Sequence, residues 1–200
     1  MIIGITGTPG TGKTSVCRSG GVACLDLNSV VEAEGFYTGV DPERGSLIAN
    51  LDRLSDYVRQ KEAAAGENVL VIEGHLAHLL GPAVAIVLRA HPAALAARLE
   101  RKGFSARKIQ ENLEAEVLDL ILTEAVELCQ TVYEVDTSGK SVAEVASVVR
   151  AIIAAETEEG AGDSLSGALR QRYKPGSVDW SDCIEEICLR SSRRESYECE

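Results

Sequence analysis

The sequence of 200 residues has few aromatic residues, an excess of acidic over basic residues and no long apolar run. Because aromatic residues make up 4% of the chain and apolar residues 45%, we expect a core of Ala, Val, Leu and Ile. The formal net charge of −11 argues against broad direct binding of nucleic acid, which depends on clustered Lys and Arg. No apolar run approaches the roughly 18 residues of a membrane-spanning helix, so no membrane partner is expected.

The six cysteines do not form the patterns that indicate a zinc site or a disulfide framework. There is no C-x-x-C pair, and no cysteine lies between residues 25 and 128. We therefore expect reduced, inert thiols at Cys17, Cys24, Cys129, Cys183, Cys188 and Cys199. The start MIIGITG also lacks the basic segment of a secretory signal, so a cytoplasmic location is expected.

Short apolar runs alternate along the chain with stretches whose apolar residues recur at helical spacing. The runs are MIIGIT, VACLDL, NVLVIEG, VAIVLRA and TVYEVDTS. This alternation predicts an α/β fold with a parallel sheet and helices on both faces, in one domain with an appendage. Three apolar stripes predict helices, namely Leu47, Leu51, Leu54 and Val58; Ile109, Leu113, Val117, Leu120 and Leu128; and Val142, Val145, Val149 and Ile152.

A phosphate-binding loop follows the first predicted strand. The stretch GTPGTGKT, residues 7–14, matches G-x-x-x-x-G-K-[ST]. Its glycines, Gly10 and Gly12 among them, let backbone N–H groups surround a β-phosphate, while Lys13 reaches the β and γ oxygens. The Thr14 hydroxyl is suited to Mg²⁺, and the start of the next helix adds its dipole. The sequence therefore predicts a site for ATP and Mg²⁺.

A second acid is expected close to this loop. Glu73 ends the predicted strand VLVI, and ligands of open parallel sheets bind outside such strand ends, so Glu73 is the candidate that completes the Mg²⁺ site. His75 follows two residues later and would orient a water or a phosphate in the same crevice. The alternative for His75 is a packing role at the start of a helix.

A basic segment, residues 98–111, interrupts the acidic chain. Its cations flank Gly103 and suit a lid that closes over polyphosphate, although part of the pattern is also explained by favourable positive charge at the end of a helix. These cations are Arg98, Arg101, Lys102, Arg107 and Lys108.

Two further segments are expected to bind the substrates. Residues 26–53 lie where a pocket for the phosphoryl acceptor is expected, and the loop at residues 135–140 would pass near a purine ring. The polar candidates in the first segment are Asn28, Tyr37, Arg44 and Arg53.

The C-terminal part of the sequence has a different composition. Acidic and small residues at 156–167 predict a linker, and residues 168–200 form a tail of unknown role. Within the tail, Asp182 with Glu185 three residues later predicts the start of a short helix. Trp180 and Ile184 would pack on the core, or the tail would be an arm that binds a partner.

These motifs together resemble the adenylate kinase isoenzyme six family, which includes archaeal adenylate kinases and a yeast ribosome-maturation ATPase. The resemblance rests on GTPGTGKT, on the acid-x-His element in VIEGH and on the compact lid, and it covers residues 1–155. It implies the five-stranded nucleoside monophosphate kinase fold, phosphotransfer from ATP to AMP, and ATP hydrolysis. It also implies a link to small-subunit rRNA maturation through a small-subunit ribosomal protein.

The resemblance assigns roles to individual residues. The acid-x-His element, usually Asp-x-His, is Glu73 and His75 here. The lid arginine often found before Gly-Tyr is Lys102, with Arg101 beside it, and both are candidates for ATP contacts. Glu32 stands where an arginine facing the acceptor phosphate is expected, and an acid there would repel that phosphate. The ATP-binding loop comprises Gly10, Gly12, Lys13, Thr14 and Ser15.

The sequence therefore predicts a nucleoside monophosphate kinase that converts ATP and AMP to two ADP and has intrinsic ATPase activity. Lys13, Glu73 and His75 are the predicted catalytic residues, and Thr14 and Glu73 the predicted Mg²⁺ ligands. A role in 16S rRNA processing and small ribosomal subunit maturation is expected from the resemblance. Two alternatives stay open, a ribosome assembly ATPase switched by nucleotide and a small-metabolite kinase of the shikimate kinase type.

Overall fold

A central sheet of five parallel strands organises the chain in the computed structural model, which describes residues 1–157 and 163–187. The strands of the chain are β1 (Ile2–Thr6), β2 (Cys24–Asp26), β3 (Tyr37–Val40), β4 (Leu47–Ala49), β5 (Leu70–Glu73), β6 (Val84–Arg89) and β7 (Thr131–Asp136). The parallel sheet has the order β2-β5-β1-β6-β7. All five predicted apolar runs form its strands, so the predicted α/β fold is confirmed.

Helices cover both faces of this sheet. They are α1 (Lys13–Gly20), α2 (Leu27–Ala33), α3 (Leu51–Ala65), α4 (Pro92–Arg101), α5 (Ala106–Val117), α6 (Leu120–Leu128), α7 (Val142–Thr157) and α8 (Asp163–Arg172). The core on one face joins the sheet to α1 and α7, and the core on the other face joins it to α2 and α3. Among the described residues, no helix is long and apolar enough to cross a membrane.

The register of the sheet brings its polar strand ends to one edge. Asp26 pairs with Glu73 across β2 and β5, and Glu73 pairs with Ile5 of β1. Thr6, the residue after Ile5, ends β1, and the phosphate-binding loop begins at the next residue, Gly7. The predicted acid and the loop therefore lie side by side because parallel strands end at the same edge.

The predicted helix from Leu47 to Val58 begins later than its apolar stripe suggested. Leu47 belongs to β4, which pairs antiparallel with β3 in a hairpin that the sequence reading missed. The helix α3 begins at Leu51, because the Asn50 side chain accepts a hydrogen bond from the Arg53 N–H and caps it. Leu47 is 36% exposed, so its apolar side chain does not indicate a core position.

The predicted long helix from Ile109 to Leu128 is wrong as one element. It breaks between α5 and α6 at Asp119, which has φ of 54°. An ion pair with the buried Arg89 holds the Asp119 carboxylate, which is 41% exposed, at this break. Beyond it, Leu120 and Leu128 are 51% and 55% exposed, so the apolar stripe does not continue as a core-facing face.

The prediction that all six thiols are reduced is wrong for Cys17 and Cys24, which form a disulfide. The short helix α1 ends at Gly20–Gly21, and the chain returns at once into β2. This return brings the two Cα atoms to 6.1 Å, within the usual disulfide range. Cys129 and Cys183 are free, whereas Cys188 and Cys199 lie outside the described residues.

The predicted linker at 156–167 is helical at both of its described ends. The helix α7 continues to Thr157 and α8 begins at Asp163, while residues 158–162 lie outside the described part. The predicted short helix is present, since residues 184–187 are helical, but Asp182 is not its cap because it lies inside the preceding 3-10 turn, Ser181–Cys183. Of the two alternatives for Trp180 and Ile184, the structure shows the packed one, because both contact the cluster of α4 and α5.

Candidate active site

The phosphate-binding loop is held tightly between β6 and α4. Gly7 and Gly10 have φ of 132° and 96°, a region that favours glycine. A Cβ on Gly10 would lie 2.9 Å from Leu95 and 3.0 Å from Leu99, and a Cβ on Gly7 would clash with the Leu88 carbonyl. The glycines therefore serve both the turn and its close approach to the core.

Lys13 is buried within this loop and points back onto it. Its ammonium donates to the Gly7 carbonyl at 2.6 Å and to the Thr8 carbonyl at 3.1 Å. Burial lowers the pKa of Lys13 to about 8, although the nearby Glu73 opposes this change. The Lys13 ammonium is thus placed so that phosphate oxygens can replace the two carbonyls as its hydrogen-bond acceptors.

Glu73 is 1% exposed and lies beside the loop, at the end of β5. Burial raises the pKa of Glu73, a hydrogen bond with Thr14 opposes this rise, and the neighbouring Asp26 adds to it. The Glu73 Oε2 atom has no hydrogen-bond partner within the described structure. A buried, unpaired carboxylate oxygen next to a hydroxyl is the kind of oxygen-donor set that Mg²⁺ binds, so Thr14 and Glu73 fit the predicted ion.

His75 lies one residue beyond Gly74 and lines two cavities beside the loop. The pKa of His75 is lowered to about 4, chiefly because the ring is buried and next because Lys13 is positively charged. The imidazole is therefore neutral at pH 7. It is able to orient a hydrogen-bonding group, but it adds no positive charge to the site.

Three adjoining cavities surround the loop. The P-loop cavity, about 170 Å³, lies over Lys13, Thr14 and Glu73. The α4–α7 cavity, about 350 Å³, is lined by Arg98, Arg101, Lys102, Thr137, Lys140 and Val145 among others. The hairpin cavity, about 640 Å³, is lined by Asn28, Glu32, Ser46, His75, Phe104 and Lys108 among others.

The predicted site residues come together around these cavities. Those that line the P-loop cavity are Gly10, Gly12, Lys13, Thr14, Ser15, Glu73, His75 and Lys102. Arg101 lines the α4–α7 cavity, where the predicted purine loop also contributes Thr137 and Lys140. The predicted lid and purine segments thus face the same space.

The polar candidates of the acceptor segment do not all converge. Of the four, Asn28 lines the hairpin cavity. Arg44 instead forms ion pairs with Asp41 and Glu111. The Arg53 guanidinium lies 4.7 Å from the centroid of the Phe36 ring and donates to the Gly35 carbonyl.

Arg98 contacts the phosphate-binding loop. The sequence analysis placed it in the lid but did not include it among the site residues. Its guanidinium donates to the Gly10 carbonyl at 3.4 Å and to the Thr137 hydroxyl and carbonyl at 3.0 and 3.1 Å. Its position one helical turn before Arg101 was the available signal. Arg98 ties the phosphate-binding loop to the predicted purine loop.

Glu116 is a second residue that the sequence reading missed. It is 1% exposed and accepts hydrogen bonds from the Thr8 hydroxyl at 2.5 Å, from Arg89 Nε at 2.8 Å and from the Ala90 N–H at 3.0 Å. An acid inside the apolar stripe of Leu113 and Val117 was the only signal in the sequence. Glu116 fixes the start of the phosphate-binding loop to β6.

The chain is similar to known proteins along most of its length. Residues 3–119 match the family described as AAA domain. The chain is 41% identical over 195 residues to the "Putative adenylate kinase" of Methanosarcina acetivorans, covering 92% of this chain and 100% of that protein. It is 42% identical over 187 residues to the protein of the same name from Archaeoglobus fulgidus, covering 93% and 95%.

Solved structures share the fold at low identity. Shikimate kinase from Acinetobacter baumannii has a TM-score of 0.55 at 15% identity, over 79% of this chain and 95% of that chain. TT1252 from Thermus thermophilus has a TM-score of 0.50 at 20% identity, over 79% and 98%. The predicted resemblance is confirmed for its archaeal members. By the extent and identity of the archaeal matches, the chain belongs to the family of these archaeal proteins named as adenylate kinases.

Proposed function

We propose that the protein is a Mg²⁺-dependent nucleoside monophosphate kinase that transfers the γ-phosphoryl group of ATP to AMP and yields two ADP. The main support is the position of the P-loop cavity between two larger cavities. It shares Gly10, Gly12, Ser15 and Lys102 with the α4–α7 cavity, and Pro9, Asn28, His75 and Phe104 with the hairpin cavity. A donor nucleotide in the first and an acceptor in the second would bring their phosphates together over Lys13.

Phosphoryl transfer requires mainly that the two phosphates are positioned in line and that their negative charge is neutralised. An oxygen of the AMP phosphate forms a bond to the γ-phosphorus while the bond to the β,γ-bridging oxygen breaks, and the electron pair leaves with ADP. Lys13 would exchange its carbonyl partners for β and γ oxygens, and Arg101 and Lys102 would add positive charge from the lid. When bound, Mg²⁺ supplies charge neutralisation at the phosphates, and Thr14 and Glu73 are the residues that would hold it.

His75 would act beside the acceptor without carrying a charge. Because its pKa lies near 4, the neutral ring is able to orient the AMP phosphate or, when AMP is absent, a water. The proposal therefore includes slow intrinsic ATP hydrolysis. A small-subunit ribosomal protein partner, a role in 16S rRNA processing and a cytoplasmic location stay predictions from the sequence.

The test measures ADP formation and phosphate release from Mg²⁺ and ATP, with each nucleoside monophosphate and without any. We expect AMP to accelerate ADP formation by about 100-fold over hydrolysis, with two ADP formed per ATP consumed. Lys13→Ala should abolish both activities, whereas Lys61→Ala, a change at an exposed lysine of α3, should leave both unchanged. Equal turnover with and without every acceptor would contradict the kinase and leave an ATPase.

A further inference from the structure

The hairpin cavity contains an acid where the acceptor needs positive charge. Glu32 lines this cavity from α2, one helical turn after Asn28. The phosphate of a nucleoside monophosphate carries nearly two negative charges at pH 7, so Glu32 opposes its binding. The site therefore needs a cation from another element.

Lys108 is the one lysine or arginine among the described residues that line the hairpin cavity. It lies in the first turn of α5 and is partly buried. Its ammonium donates to the Ser46 hydroxyl at 2.7 Å and lies 4.8 Å from the centroid of the Phe104 ring. Since an ammonium has three N–H donors, it is able to give others to phosphate oxygens.

Two neighbouring cations, Arg44 of the hairpin and Arg107 of α5, are already paired with acids. Arg44 bonds Glu111 at 2.7 Å and Asp41 at 2.9 Å. Arg107 bonds Glu43 at 2.6 Å. Neither Arg44 nor Arg107 lines the cavity, and their acidic partners balance the charge of both guanidinium groups, whereas the partner of Lys108 is an uncharged hydroxyl.

We propose that Lys108 binds the phosphate of the acceptor nucleotide, and that it supplies the positive charge which Glu32 does not. The inference rests on the proposed kinase function. It separates the basic segment into two roles, with Arg101 and Lys102 facing the donor side and Lys108 facing the acceptor side. It also links acceptor binding to the contact between α5 and the hairpin, because Ser46 and Lys108 come from these two elements.

The test measures AMP and adenosine binding by isothermal titration calorimetry, so the readout does not require turnover. For Lys108→Ala we expect the Kd for AMP to rise by about 10- to 100-fold, as for the loss of a hydrogen bond to a charged group. Adenosine, which lacks the phosphate, should bind as it binds the unmodified protein. Lys108→Arg should recover most of the AMP affinity, and Glu32→Gln should increase it.

Matched controls separate this inference from the kinase proposal. Lys61→Ala should leave the Kd for AMP and the KM for ATP unchanged, and Lys108→Ala should leave the KM for ATP within about twofold. An unchanged Kd for AMP in Lys108→Ala overturns the inference, as does an equal loss of adenosine or ATP binding. Failure of the unmodified protein to bind AMP overturns it too. AMP binding through Lys108 without ADP formation would reject the kinase and keep the inference.

Discussion

At the scale of single residues, the start of the phosphate-binding loop depends on one buried carboxylate. Glu116 accepts hydrogen bonds from three buried donors, the Thr8 hydroxyl, Arg89 and the Ala90 N–H. Arg89 also pairs with Glu134 and Asp119, so the cluster joins the loop to β7 and to the break between α5 and α6. Removal of Glu116 leaves buried donors unpaired, which costs more than the bonds themselves contribute.

We therefore predict that Glu116→Ala lowers the free energy of unfolding by about 3–5 kcal/mol, measured by urea denaturation with far-UV circular dichroism. Glu116→Gln keeps the shape and one acceptor oxygen and should cost about 1–2 kcal/mol. Glu127→Ala, a change at an exposed acid of α6, should stay within about 0.5 kcal/mol of the unmodified protein. A loss for Glu116→Ala no larger than that of Glu127→Ala would refute the role of the cluster.

The residues that could be predicted at this scale are those whose chemistry is local in sequence. Lys13 and Thr14 follow from one eight-residue motif, and Glu73 follows from its place at a strand end. Glu116 and Lys108 could not be assigned in this way. Their partners Thr8 and Ser46 lie 108 and 62 residues away, and no local pattern encodes such contacts.

At the scale of elements, the disulfide joins the helix of the phosphate-binding loop to the edge strand of the sheet. Cys17 lies in α1 and Cys24 begins β2, and the closed loop has a sequence separation of seven. In the chain-entropy model, a disulfide that closes a loop of this size lowers the conformational entropy of the unfolded chain. This raises the free energy of unfolding by about 2–3 kcal/mol.

We predict that reduction with dithiothreitol lowers the Tm of the protein by about 4–10 °C, measured by differential scanning calorimetry. The double variant Cys17→Ala/Cys24→Ala should melt near the reduced protein and should not respond to dithiothreitol. Cys129→Ala should keep the full response, since Cys129 is free. The same Tm before and after reduction would show that this disulfide does not stabilise the fold.

The secondary-structure predictions were correct where the apolar pattern of the sequence alone determined the element. Five apolar runs became five parallel strands because strands buried on both faces need no polar alternation. The helix break at Asp119 could not be predicted, because the ion pair with Arg89 is a tertiary contact that overrides the apolar spacing. The hairpin β3–β4 was missed because its strands are short and mostly exposed, so Leu47 and Ile48 read as helix or loop.

At the scale of the whole molecule, the described part of the tail packs against the core. Leu169 and Tyr173 pack against the α1–α7 core, and Trp180 and Ile187 pack with α4 and α5. The tail backbone also completes the buried ion cluster, since the Ser177 and Val178 N–H groups donate to Glu134 at 2.8 and 3.2 Å. Composition suggested a boundary at 156–167, but these contacts link α8 and the turn after it to β7.

Because Trp180 is the single tryptophan, its fluorescence reports whether the tail is docked. Its ring lies edge-on to His91, with centroids 5.0 Å apart, and contacts the cluster of α4 and α5. If the tail shares the core, exposure of Trp180 requires the core to open. We therefore predict that the urea transition followed by tryptophan emission coincides with the one followed by far-UV circular dichroism.

Two tail variants make this last prediction specific. Ile184→Ala removes a partly buried side chain from the cluster of α4 and α5, so it should shift both urea midpoints downward together. Leu165→Ala changes a residue that is 55% exposed on α8, so it should shift neither. An arm that undocks before the core unfolds would instead give an emission midpoint at least about 0.5 M below the dichroism midpoint. In that case the kinase domain would end near residue 157, and the tail would be free to bind a partner while the core stays folded.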